Sequence, residues 1–301
     1  MSVMFKKLHP YVGAEVGTEV GTEVSPIDLR KVHDSATLEQ LRSGMDEYGV
    51  LVFRHQPFTD PEQLAFMQRF DGKLHTKQGA RAMGASRFGY EGVGDISNVD
   101  NSGKILAADD RKRQYSLANR LWHTDGSFQD PPGRYSALSA RVIPPVSNDT
   151  EFADLRQAYD ELDAAMQARL AGLTVHHSIA YSRQLLGFDF SANELEMLKG
   201  AVHPLVRTNP RTGRKSLYLA SHATRVMEMP VAEGRLLLND LTMHSTQRHL
   251  VFRHEWRDGD LVIWDNLATM HRATEFDDAK YHRELRRVTT IDVPLAEAVA
   301  A

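Results

Sequence analysis

The chain has 301 residues, 42% of them hydrophobic and 25% charged, with a net charge of −4. That length suits one large domain or two small ones, and with neither a basic stripe nor an acidic tail no nucleic-acid partner is expected. The chain contains no cysteine, which removes disulfides, thiolate zinc sites, iron–sulfur clusters and cysteine nucleophiles together.

The first ten residues, MSVMFKKLHP, lack the apolar run of a signal peptide, and no segment reads as a membrane span, so a cytoplasmic address without a membrane partner is expected. Residues 13–25, GAEVGTEVGTEVS, give a four-residue unit three times. That period is too short for a solenoid and reads as a local duplication in a strand or loop. In TLEQLRSGMDEYG, Leu38, Leu41 and Met45 fall at helical spacing; the short apolar strand VLVF follows at 50–53. Asp60 before Pro61 reads as an N-cap with proline at the first helical position of PEQLAFMQRF. Residues 71–120 are rich in Gly, Ser, Arg and Lys with little periodicity, and are expected to be a long loop serving as a lid.

Farther on, DLRQAYDELDAAMQARLAGL puts Leu155, Tyr159, Leu162, Met166 and Leu170 on one face of a single helix closed by Gly172. HPLVRTNPRTGRKSLYLA predicts two strands around a Pro/Gly turn, and VAEGRLLLNDLTMHS a further helix. HLVFRHEW, DLVIWDN, TMHRA and HRELRRVTTIDV make a strand-rich tail with a turn at Asp258-Gly259. No linker divides the chain. Residues 1–301 are expected to be one mainly β domain, a sandwich or barrel core with helices packed outside.

The stretch LWHTDGSFQD at 121–130 holds His123 and Asp125 two residues apart. With 14 histidines and 40 acidic residues, chance alone supplies about two His-x-acid matches. The chain has two, the other being His282-Arg-Glu284, so the spacing by itself carries no weight. Geometry adds something: on extended chain, residues i and i+2 point to one side, and His123 and Asp125 are able to reach one ion. A third ligand is needed, and His271 in ATMHRA is the candidate. Two imidazoles and a carboxylate on one face are the arrangement of non-haem iron(II) oxygenases. In HRELRR, Arg283, Leu285 and Arg287 alternate onto one face and His282, Glu284 and Arg286 onto the other. Two inward arginines each ask for an anion. A dicarboxylate cosubstrate at Arg283 and a carboxylate substrate at Arg287 answer both, and with iron(II) and Asp125 the charges then sum to zero.

These residues resemble the taurine dioxygenase-type iron(II)/2-oxoglutarate oxygenases, and among them the 2,4-dichlorophenoxyacetate (aryloxyalkanoate) dioxygenases. The likeness runs through VLVFR at 50–54, DISNV at 95–99, LWHTDGSFQ at 121–129, RYSALSA at 134–140, DTEFAD at 149–154, WDN at 264–266 and RELRR at 283–287. It implies a double-stranded β-helix (jelly roll) core. It implies His123, Asp125 and His271 as iron ligands, and Thr150 with Arg283 on the far carboxylate of 2-oxoglutarate. It further implies Arg287 and Asn119 at the substrate, and a homo-oligomer. The implied reaction consumes O₂, hydroxylates an aryloxyacetate beside its ether oxygen, and yields a phenol, glyoxylate, succinate and CO₂. Two departures from the family pattern stand out. The spacing from His271 to the arginines is one residue longer, so the loop DDAKY is expected to bulge. The family's lysine in the first long loop has no clear counterpart, Lys77 or Arg81 being the candidates.

Other readings predict different behaviour. A zinc hydrolase needs the same three ligands but no paired arginines. A non-enzymatic jelly-roll binding protein takes carboxylates without metal. An oxygenase acting on an alkylsulfonate or another small acid differs only in substrate, since an arginine accepts sulfonate and carboxylate alike. The pair His176-His177 reads as structural, with His282 and Glu284 facing away from the pocket.

Overall fold

All four side chains of VLVF are buried because they alternate between two cores, Leu51 and Phe53 entering one, Val50 and Val52 the other. LVIW repeats the pattern, Leu261 and Ile263 opposing Val262 and Trp264. Strands apolar on both faces belong in the middle of a layered structure. The computed structural model of the chain, which describes residues 3–20, 23–76 and 87–293, puts them there.

The first half supplies β1 (Val3–Lys7), β2 (Ala14–Val20), β3 (Glu23–Pro26), β4 (Val50–Phe53), β5 (Val93–Ser97), β6 (Gly133–Val142) and β7 (Thr150–Asp154), with α1 (Ser35–Tyr48), α2 (Asp60–Asp71) and α3 (Arg111–Ser116) among them. The middle adds α4 (Leu155–Asp160), α5 (Ala164–Leu170), β8 (Thr174–His177), α6 (Ile179–Gln184), α7 (Ala192–Met197), β9 (Ala201–Pro204), β10 (Val206–Thr208), β11 (Lys215–Leu217), β12 (Ala223–Val226) and α8 (Val231–Ser245). The tail gives β13 (Val251–His254), β14 (Leu261–Asp265), β15 (Thr269–Ala273) and β16 (Glu284–Ile291).

A large sheet runs β1-β2-β4-β14-β6-β16-β5, with β3 paired to β2, and a small sheet runs β13-β7-β15. Their inner faces meet through Val52, Leu138, Phe152, Phe252, Trp264 and Leu285. This is the jelly-roll core, two facing sheets that stay separate instead of closing into a barrel. Helices α1 and α2 cover the large sheet with Leu41, Met45, Phe66 and Phe70. The outer face of the small sheet, with Met270, is covered by Leu155 and Tyr159 of α4 and Leu238 and Leu241 of α8. Strands β12-β8-β9 and β10-β11 form two minor sheets. Among the described residues no helix is long and apolar enough to cross a membrane.

Several boundaries differ from the sequence reading for identifiable reasons. The single helix expected over 154–173 is two, because Asp163 caps a new start by accepting from Met166 N, a local bond that overrides the continuous apolar stripe. Helix α2 is capped by Thr59, with Asp60 inside it, since Thr59 and Glu62 complete a reciprocal capping box. The GTEV duplication falls in β2 and β3, which pair antiparallel. Residues 71–120 are not one long loop: β5 joins the large sheet beside β16, and Asp110 caps α3 by accepting from Lys112 N and Arg113 N. Lys77 and Arg81 lie outside the described residues. Around DDAKY the chain makes successive turns, and Asn98 Nδ2 braces them by donating to the carbonyls of Asp278 and Tyr281 at 2.7 and 2.8 Å.

Candidate active site

Main-chain pairing brings two of the three expected ligands together. His123 follows a short 3-10 turn at Leu117–Arg120, and His271 lies in the middle of β15. Their backbones exchange hydrogen bonds of 2.9 and 2.8 Å, and the ring centroids stand 4.2 Å apart. Alternation along β15 sets the side: Met270 packs outward, while His271 turns in against Phe152 and Trp264. Asp125 follows on the side of His123, and Gly126 then turns the chain sharply at φ +71°. His123, Asp125 and His271 each offer a ligand atom within 4.8 Å of the others. The Nε2 atoms of His123 and His271 lie 4.0 and 3.9 Å from Asp125 Oδ1 and Oδ2.

The protonation pattern suits a metal. His123 Nδ1 is 2.8 Å from the Leu121 carbonyl, which can only accept, so Nδ1 carries the hydrogen and Nε2 is bare. Burial pulls His123 down to about 4 and His271 well below its ordinary value, Asp125 opposing in each case. Among the described residues His271 Nδ1 is buried with no hydrogen-bond partner. For Asp125 burial works upward, but the Arg287 guanidinium, helped by the neighbouring imidazoles and the Ser136 hydrogen bond, outweighs it and holds the carboxyl at about 2. Ser136 Oγ donates to Asp125 Oδ2 at 2.8 Å and Arg287 Nη1 to Oδ1 at 2.5 Å. Asn266 steadies the group: its Oδ1 accepts from Asp125 N and Trp264 Nε1, and its Nδ2 donates to Ser136 Oγ. Two neutral imidazoles and one ionised carboxylate on one side of a point fit a divalent iron with open positions.

A cavity partly open to solvent lies beside the triad and is walled by β5, α3, the 3-10 turn, β15 and β16. Arg283 lines it while only 7% exposed. Its Nε donates to Asn148 Oδ1 at 2.9 Å, and among the described residues no carboxylate lies within ion-pair distance. Burial lowers it to about 10, Asp149 opposing, so it is still a cation at neutral pH, and an unpaired buried cation calls for an anion. Thr150, in the same lining, accepts from Trp256 Nε1 at 3.0 Å, which leaves its own hydroxyl hydrogen to give. Arg287 and Asn119 also line the cavity. Arg287 is not free there, since one of its nitrogens is committed to Asp125.

Arg286 takes the opposite face of β16, pairing with Glu284 and lying over the Phe88 ring. His282 meets Glu284 at 3.1 Å, Glu284 also pairs with Arg87, and neither His282 nor Glu284 lines the cavity. His176 and His177 are likewise absent from the lining. Ser136, Asn148, Trp256 and Arg183 escaped the sequence reading, because each acts through a neighbour brought from elsewhere in the chain. Asn266 was visible in the WDN block, though its hold on Asp125 was not.

Facing sheets, a His/Asp/His triad and an unpaired buried arginine in one cavity define an iron-dependent oxygenase class, and sequence relationship agrees. The family model described as taurine catabolism dioxygenase TauD, TfdA family matches residues 5–289. The chain belongs to this family and is an Fe(II)/2-oxoglutarate-dependent dioxygenase. Over 293 residues it is 44% identical to the alpha-ketoglutarate-dependent 2,4-dichlorophenoxyacetate dioxygenase of Cupriavidus pinatubonensis, covering 97% of this chain and 99% of that protein. It is 34% identical to the (S)-phenoxypropionate/alpha-ketoglutarate-dioxygenase of Sphingobium herbicidovorans, covering 84% and 86%. The crystal structure of AAD-2 in complex with Mn(II) and N-oxalylglycine matches with a TM-score of 0.86 at 40% identity, covering 98% of each chain. Membership sets aside the zinc hydrolase and the metal-free binding protein.

Proposed function

We propose that the enzyme hydroxylates a small carboxylate, an aryloxyacetate such as 2,4-dichlorophenoxyacetate, beside its ether oxygen. The resulting hemiacetal collapses to a phenol and glyoxylate, while 2-oxoglutarate and O₂ give succinate and CO₂. When bound, iron(II) supplies the activation of O₂ coupled to that decarboxylation. The rest falls to the chain. His123, Asp125 and His271 hold the metal from one side and leave the other open. Arg283 and Thr150 clamp the far carboxylate of 2-oxoglutarate with a forked donor and a hydroxyl. Arg287, whose guanidinium has donors beyond the one given to Asp125, receives the substrate carboxylate together with Asn119. Ile96, Leu117, Leu138 and Phe276, all in the cavity lining, offer an apolar wall for an aryl ring and keep water from the reacting carbon. Within the expected lid of 71–120, the described residues of 95–120 supply one wall and, in this reading, the part that closes over bound substrate. The family resemblance adds a homo-oligomer in the cytoplasm, which sedimentation and cell fractionation would read.

The observation carrying the proposal is Arg283, buried without an acid of its own among the described residues, in the cavity that also holds the triad. Its test is a panel of aryloxyacetates, aryloxypropionates and taurine, scored by succinate and phenol. Phenol and succinate in equal amounts from aryloxyacetates are expected. Turnover of taurine with none of the aryloxy acids would replace this substrate class with a sulfonate.

A further inference from the structure

Arg183, near the end of α6, is 5% exposed, and among the described residues no carboxylate lies within ion-pair distance of it. Its Nη1 donates to Ser182 Oγ at 2.9 Å and its Nη2 to Asn119 Oδ1 at 3.4 Å. The guanidinium carbon stands 4.6 Å from the centroid of the Tyr115 ring, and Nε is buried without a partner among the described residues. The groups it touches, Ser182, Asn119 and Tyr115, are neutral, and the charges that reach it from farther off, Arg287 and Asp125, oppose one another. A guanidinium offers five donors and no acceptor. An asparagine facing it has one favourable orientation, oxygen towards the arginine and NH₂ away, because the reverse sets N–H against N–H. Asn119 lines the cavity, and no described group accepts from its Nδ2. The cavity thus meets the donor end of that amide with a cation behind it. Of the arginines near the triad, Arg287 is already paired with Asp125, and Arg283 is assigned above to 2-oxoglutarate. Arg183 adds one positive charge to the balance drawn from the sequence.

We propose that Arg183 is a positioning residue for substrate charge: it locks Asn119 with its N–H groups towards the cavity, so that the site prefers an anionic head group to a neutral one of the same shape. This rests on the reading that the substrate is a small acid held at Asn119 and Arg287. An asparagine free to rotate presents oxygen as readily as nitrogen, and oxygen repels a carboxylate.

The test compares the iron-loaded full chain with Arg183→Gln, Arg183→Lys and Asn119→Asp, each checked for folding by its thermal midpoint. 2,4-Dichlorophenoxyacetate and its primary amide, alike in shape but not in charge, are titrated anaerobically by calorimetry with 2-oxoglutarate present. Turnover is then scored by succinate. Arg183→Gln should raise KM and Kd for the acid about tenfold or more, the scale of a lost charge-assisted contact, while binding of the amide, KM for 2-oxoglutarate and kcat barely move. Arg183→Lys should restore part of the preference for the acid. Should Arg183→Gln not fold, Asn119→Asp decides, since it gives Arg183 a counterion and must weaken the acid far more than the amide. Equal losses for acid and amide, a loss confined to kcat, or acid binding unchanged in Asn119→Asp would each overturn the proposal. A wild type that neither binds nor turns over any aryloxyacetate sinks the substrate reading alone. The same comparison made with an alkylsulfonate and its sulfonamide then decides Arg183.

Discussion

At His123 a single carbonyl settles where the proton sits, and with it which nitrogen is bare. Removing either imidazole leaves two ligands, too few to retain iron against water. His123→Ala and His271→Ala should therefore lose turnover, and anaerobic titration should show weakened ferrous binding. A variant that keeps stoichiometric iron removes that residue from the ligand set. Arg283 lines the same cavity and is assigned the far carboxylate of 2-oxoglutarate. Losing a desolvated charge pair costs roughly 2–5 kcal/mol, so Arg283→Ala should raise KM for 2-oxoglutarate by about 30-fold or more. The KM for the aryloxyacetate should move little. Arg283→Lys should recover only part, because an ammonium cannot reproduce a two-pronged fork. Normal 2-oxoglutarate affinity in Arg283→Ala would end its assigned role.

Between the residue and the sheet lies the turn that follows Asp125. Gly126 sits at φ +71°, and a Cβ there would fall 2.7 Å from the backbone nitrogen of Gly133, the first residue of β6. A side chain at 126 is thus strained in its backbone and blocked by main chain that has no slack. Gly126→Ala should destabilise by roughly 1–3 kcal/mol and push Asp125 off its line with the two histidines. Urea unfolding reads the first effect and iron titration the second. Unchanged iron affinity would mean that the turn does not set the ligand position. The same scale explains the short helices around the site. Asp110, Asp154 and Asp163 each cap a turn with a side-chain oxygen, and such local bonds start helices where periodicity alone gives no sign.

For the whole molecule, stability against pH is read at the boundary between the helix layer and the large sheet. Asp71 closes α2, is 9% exposed, and accepts from Thr290 Oγ1 at 2.6 Å. Burial pushes its pKa up from 3.8 to about 6, Thr290 opposing. A carboxyl raised on folding favours the native state while protonated, so its contribution is full below about pH 4 and lost as pH rises to about 6. Two pH units correspond to roughly 3 kcal/mol. Asp71→Asn cannot ionise, and its stability relative to the wild type should grow by about that amount between pH 4 and pH 7 in urea unfolding. A constant difference across that range would show that Asp71 is not the titrating group. The buried histidines act in the opposite sense. Burial brings His123 to about 4 and His177 to about 3, so their contribution is full above 6.5 and lost as pH falls through those values.

Much of this was legible in the chain because it rests on short-range rules. VLVF was expected as a short apolar strand and forms β4, the helix expected over VAEGRLLLNDLTMHS is α8 residue for residue, and the i, i+2 spacing put His123 and Asp125 on one side. The ordered blocks carried the family, and with it His271, Thr150 and Arg283 as expectations. What no local pattern contains is which distant segments become neighbours. That His271 exchanges backbone hydrogen bonds with His123, that Arg287 is committed to Asp125, that β5 emerges from an irregular stretch to complete the large sheet, and that Arg183 donates to Asn119 Oδ1 were all decided by tertiary structure. Pairing of strands and burial of charge are properties of the assembled layers, and their energies exist only once water has been excluded from between them.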